Sequence, residues 1–166
     1  MGAAEDPSKW FVIRPDLHDA EVGVRLEMGE YGWAYLHLTL GTTAVKIWLS
    51  QVFDPFNELV AWGRKVEEGD IPVQMEIDEE GSERVLTVLR TEDPTRVLFR
   101  VAEKYADDIQ LEGIVSRAAL AASLKAELRR FFSSEFDPNH WDEEEADEDY
   151  VLTRDRVLNH PWMVAA

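Results

Sequence analysis

The alternation of apolar and polar positions becomes regular at Glu21 and organises the first half of the chain. Val22, Val24, Leu26 and Met28 fall on one face, and Glu21, Arg25 and Glu27 on the other, the period of a half-buried strand. Trp33–Leu40 continues the pattern. A two-residue turn at Gly29-Glu30 mixes the two faces. A three-residue loop Glu30-Tyr31-Gly32, with Gly32 in the left-handed region, instead pairs Leu26 with Leu36 and Val24 with Leu38. Gly41-Thr42 then turns the chain into a third strand, Thr43–Leu49, pairing Leu38 with Val45 and Leu36 with Ile47. The opposite face of this meander carries Trp33, Tyr35, His37, Lys46 and Trp48, with Tyr35 directly across from Trp48. Two readings of that face stand side by side: a helix or the N-terminal arm covers it, or it is an exposed aromatic platform.

Helical spacing takes over at FDPFNELVAWGRKVEEG. Asp54 reads as an N-cap and Pro55 as the first helical residue. Phe56, Leu59, Val60, Gly63 and Val66 form one stripe, Gly69 closes the helix, and Trp62 falls off the stripe towards solvent. A second meander follows. Its apolar positions are Val73, Met75 and Ile77, then Leu86 and Val88, then Val97, Phe99 and Val101, then Ile109, Leu111 and Val115. Leu89 and Leu98 face each other on its outer side. Ser116 caps the strongest helix, Arg117–Phe136, in which Leu120, Leu124, Leu128 and Phe131 make the stripe. Arg117, Lys125, Arg129 and Arg130 lie on or near its other side. Phe136-Asp137-Pro138 repeats Phe53-Asp54-Pro55, so a short helix is predicted from Pro138. Leu152, Val157, Leu158, Trp162 and Met163 dock the C-terminal segment. The predicted architecture is α+β in a single domain over 1–166. It has an antiparallel sheet of seven or eight strands in two meanders, two main helices and a short C-terminal helix. Residues 1–8 fray, Lys9–Arg14 is an edge strand or pinned arm, and 137–150 form an acidic loop or short helix.

Charge changes this picture more than composition does. The chain is 45% hydrophobic and 31% charged, ordinary for a globular protein, but its net charge is −17. Nine carboxylates lie between Glu135 and Asp149, and no Lys or Arg lies between Arg130 and Arg154. Without those nine, 25 acids still face 17 bases, a net −8. Such a field disfavours direct contact with nucleic acid or anionic membranes and favours fast encounter with a basic partner. The absence of cysteine suits a reducing cytoplasm. MGAAEDPSKW lacks the basic and apolar regions of a signal peptide.

Catalytic chemistry is hard to place. His18, His37, His140 and His160 have no metal-ligand spacing, and no cofactor motif is present. Asp142–Asp149 supplies oxygens but lacks the turn glycine of an EF-hand. Ser133 and Ser134 have no evident base. The expectation is a non-enzymatic protein with neither metal nor cofactor. The acidic run has three readings: a solvated loop, a docking surface for a basic protein, and a mimic of a phosphate backbone. Aromatics at both ends favour docking, on a surface of Trp141, Asp142, Glu143, Glu144, Glu145, Asp147, Glu148, Asp149 and Tyr150. The rival interface is the face of Trp33, Tyr35, His37 and Trp48, as in a structural or adaptor module.

In overall character the chain resembles the small acidic immunity proteins encoded beside bacterial secreted toxins, which are single-domain, cysteine-free and cytosolic. That resemblance implies a protein that blocks a basic toxin or effector by covering its active site. It rests on no diagnostic motif and assigns no individual residue. The stretch FDPFNELVAWGRKVEEGDIPVQMEIDEEG also looks like bacterial α+β domains with a G-D-I-P junction between helix and strand.

Overall fold

The computed structural model describes residues 10–105, 108–142 and 152–165. Seven strands form two antiparallel sheets. The first contains β1 (Val22–Met28), β2 (Trp33–Leu40) and β3 (Thr43–Ser50). Helix α1 (Phe56–Glu68) leads to the second, β4 (Val73–Asp78), β5 (Glu83–Arg90), β6 (Arg96–Glu103) and β7 (Asp108–Ser116). Helix α2 (Arg117–Ser134), a 3₁₀ turn at Pro138–His140 and two short helices, α3 (Thr153–Leu158) and α4 (Pro161–Val164), complete the chain. Both meanders are present, but a register shift between Val101 and Ala102 turns Ile109 out of the apolar face, and the meanders do not merge into one sheet. Where β3 approaches the second meander, side chains take up its outward groups. Trp48 N–H donates to Glu79 Oε2 at 3.0 Å and Ser50 Oγ to Glu80 Oε2 at 2.8 Å.

The register of the first sheet follows from its turns. Leu26 pairs with Leu36, Leu36 with Ile47, and Tyr35 with Trp48. Tyr31 and Gly32 both have positive φ, 54° and 85°, which gives the three-residue loop its left-handed close. The inner faces of both sheets and the stripes of α1 and α2 fuse into one buried cluster that includes Leu26, Leu36, Ile47, Phe56, Phe99, Leu128 and Trp162. Trp62, expected towards solvent, is buried in it, because the ring reaches Phe99 of β6 at 5.8 Å.

Capping fixes where the helices begin. Asp54 Oδ1 accepts from Phe56 N–H at 2.9 Å, so α1 starts at Phe56 and Pro55 stands just outside it. Ser116 Oγ accepts from Ala119 N–H at the start of α2. That helix ends at Ser134, two residues before the expected Phe136. The C-terminal segment forms two helices rather than one, and it buries Lys125. The Lys125 Nζ sits 4.6 Å over the Trp162 ring, whose Nε1 donates to Glu67. Arg129 completes this dock by donating to the carbonyls of Met163 and Ala165.

The N-terminal arm covers the second sheet, not the first. Val12 N–H donates to Arg90 O, Arg14 bonds Glu112, and Ala20 N–H donates to Ile114 O. The arm thus runs from β5 to β7 across the outward-facing Leu98, which is fully buried. Among the described residues no helix is long and apolar enough to cross a membrane.

Candidate functional site

With the described part of the arm elsewhere, no described segment covers the outer face of the first sheet. Trp48 is 45% exposed and lies between two ring edges, Trp33 at 5.6 Å and Tyr35 at 5.2 Å, both T-shaped. Lys46 Nζ rests 4.2 Å over the Tyr35 ring, an arrangement in which the ring quadrupole attracts the ammonium. His37 Nε2 meets Glu27 Oε1 at 2.9 Å, and this hydrogen bond holds the Glu27 carboxyl below its ordinary range. The face is therefore a preformed aromatic row with paired charges around it. It is not itself strongly acidic, since Arg25 and Lys46 share it with Glu27.

The acidic run begins beside this face. His140 O accepts from Gly32 N–H at 2.6 Å, and His140 Nδ1 from Tyr31 N–H at 3.3 Å. The Tyr31 and His140 rings meet edge to face at 5.7 Å. These contacts help hold Tyr31, a non-glycine residue, at its positive φ. The 3₁₀ turn that precedes the acidic run is thus locked to the turn that feeds Trp33 and Tyr35 into β2.

Trp141 has a different role from the one its position suggested. It is 1% exposed and packs against Phe56 at 5.2 Å and Phe136 at 6.5 Å, with Nε1 donating to Asp54 Oδ2 at 3.1 Å. It is a core anchor and has no surface to offer a partner. Asp142 is also buried. Its Oδ1 accepts from Thr153 Oγ1 at 2.8 Å and Thr153 N–H at 3.3 Å. Arg156 donates to Thr153 Oγ1 and lies 3.6 Å from Asp54. Trp141, Asp142 and Thr153 thereby tie together the two ends of the acidic run. Glu143, Glu144, Glu145, Asp147, Glu148, Asp149 and Tyr150 lie outside the described residues.

Sequence reasoning missed four exposed apolar residues, Tyr31, Val52, Phe53 and Leu152. Tyr31 packs on His140, Val52 and Phe53 precede Asp54, and Leu152 precedes Thr153. The signal was the pair Val52-Phe53, two apolar residues between the end of β3 and the Asp54 cap, with no stripe to join. Among the described residues no group of three or more His, Asp or Glu side chains is placed to hold a metal ion. Comparison with protein-family models, curated proteins and solved structures finds no match to this chain.

Proposed function

We propose that this chain is a non-enzymatic binding protein for a basic protein partner, acting as an immunity-type inhibitor that covers the active site of a toxin or effector. The observation that carries this reading is the junction at His140, where the stem of the acidic run meets the uncovered row of Trp33, Tyr35 and Trp48. The two surfaces divide the work. The acidic run, in a chain of net charge −17, supplies the long-range field that speeds encounter. The aromatic row supplies rigid contact area with few rotamers to freeze, the usual composition of an interface hot spot.

The experiment is affinity capture of the partner from native lysate at low salt, followed by association kinetics with the purified partner. Association should slow steeply as salt rises, and the partner's activity should be blocked in the complex. An on-rate indifferent to salt contradicts the reading. A second reading, an adaptor that uses the aromatic face alone, is favoured by the mixed charge of that face. It predicts that Trp48→Ala abolishes binding while neutralising the acidic run leaves the on-rate unchanged. In the third, phosphate-mimic reading, the partner is a nucleic-acid enzyme and DNA competes for the complex.

A further inference from the structure

A groove of about 490 Å³ lies between the loop from β3 to α1 and the β4–β5 hairpin. Its lip is apolar and open, with Val52 72% and Phe53 47% exposed. The cap at Asp54 turns the chain so that Phe56 enters the core, which leaves Phe53 outside. Asp54, Pro55, Glu58 in the first turn of α1, Glu76 and Asp78 of β4 and Glu83 of β5 line the rest, with no Lys or Arg among the described residues. Lys104 bridges Glu76 at 2.9 Å and Glu83 at 3.1 Å, and these hydrogen bonds raise the Lys104 ammonium above its ordinary value. Among the described residues Asp78 Oδ1 accepts from the backbone N–H of Glu80 alone. Glu58 makes no hydrogen bond or ion pair among the described residues. The groove therefore combines exposed apolar surface with two carboxylates that no base answers among the described residues.

We propose that this groove seats an extended basic segment of the partner, an arginine or lysine between Glu58 and Asp78 with an apolar neighbour against Val52 and Phe53. The inference rests on the basic-partner reading and names the seat within it. Charge complementarity identifies the occupant. A second copy of a chain with net charge −17 is repelled from the same groove. A basic segment instead gains two charge-assisted hydrogen bonds and buries Phe53. The groove is joined to the aromatic row through Trp48 and Ser50, which bond the same hairpin, so one partner can span both.

The test measures fluorescence anisotropy of two labelled peptides, one alternating arginine with leucine and one alternating arginine with serine, on the full chain. The double variant Glu58→Gln/Asp78→Asn should bind the arginine–leucine peptide about tenfold more weakly. The charge-matched control Glu21→Gln/Glu92→Gln should stay within about twofold, because exposed charges far from the seat act only through a screened field. Phe53→Ala should weaken the leucine peptide and leave the serine peptide unchanged. Equal losses in the two double variants would mean a diffuse field only, and would overturn the proposal, as would failure of the wild-type chain to bind. Trp48→Ala lies outside the groove and should leave both peptides unaffected. Loss of the natural partner by that variant, or its retention, therefore bears on the broader reading alone. Circular dichroism of each variant checks the fold.

Discussion

The carboxylate of Glu127, on α2, accepts a hydrogen bond from the backbone N–H of Leu26 at 2.6 Å, 101 residues away in the chain. Arg130 completes the pairing. It donates to Leu26 O at 2.8 Å and to both oxygens of Glu127. Glu135 extends the same edge by accepting from Met28 N–H at 2.7 Å. Side chains of α2 and of Glu135 just beyond its end thus satisfy the outer edge of β1, where an unpaired strand would invite another chain. Glu127→Ala leaves a buried N–H without an acceptor and should cost about 2 kcal/mol. It should also produce concentration-dependent association. Glu127→Gln keeps an acceptor and should lose less. Thermal unfolding and sedimentation of both variants check this.

Gly63 is a contact, not a flaw in its helix. A Cβ there would stand 2.6 Å from Trp162 Cη2 and 2.9 Å from Leu124 Cδ2. Alanine normally favours a helix over glycine by about 1 kcal/mol. Here overpacking of about 1–3 kcal/mol opposes that gain. Gly63→Ala should therefore lower Tm, and truncating Trp162 in the same chain should remove part of the penalty and leave the part due to Leu124. A stabilised Gly63→Ala would mean that the C-terminal helices do not dock on α1 as described.

Trp48 and Trp141 make a matched pair of opposite kinds. Trp141→Ala empties a core site among Phe56, Phe136 and Asp54 and should cost about 3–5 kcal/mol. Trp48→Ala gives up two edge-to-face contacts on an open face and should cost about 1 kcal/mol. Denaturant unfolding of the two variants separates them. Equal losses would show that the aromatic face is covered.

Acid should release the N-terminal arm. Burial pushes the Glu112 carboxyl up, but hydrogen bonds from Arg100 at 2.6 Å and Arg14 outweigh it and hold the group below its ordinary 4.5. Because the folded state holds this proton less tightly than the unfolded state, the stabilisation is complete above pH 4.5 and fades as pH falls through the lower folded value. Glu112→Gln should cost about 1 kcal/mol at neutral pH. The gap between variant and wild type should close well below pH 4.5. Thermal unfolding across that range checks it.

The parts of the fold that were legible are those set by local chemistry. The loop Glu30-Tyr31-Gly32 pinned the register of β1 and β2, and Ser116 and Gly69 marked helix ends. The parts that were not legible depend on what meets what across the chain. Trp62 lies off the stripe of its own helix, and only Phe99 of β6 explains its burial. Lys125 reads as a solvent-side base until Trp162 folds over it. Trp141 sits in an acidic, interface-like context, yet the phenylalanines around it and the acceptor at Asp54 draw it inward. Nothing in the alternation of β3 or β4 says whether they pair, so one sheet and two sheets read alike. The make-up of the aromatic row was legible, because pairing alone aligns Tyr35 with Trp48, but its exposure was not, since a covering arm read equally well. The groove beneath Phe53 was not legible, since its carboxylates come from α1, β4 and β5.

The claim that one surface, acidic at its stem and aromatic beside it, docks a basic partner is tested most directly by parallel affinity capture. Wild type, Trp48→Ala and a variant with Asp142 retained and Glu143, Glu144 and Glu145 changed to Gln are immobilised, exposed to native lysate at low salt and eluted with rising salt. Wild type should retain a basic protein that salt releases. The neutralised variant should release it at lower salt, and Trp48→Ala should fail to retain it while unfolding as wild type does within about 1 kcal/mol. Retention of the same partner by all three at the same salt would contradict it.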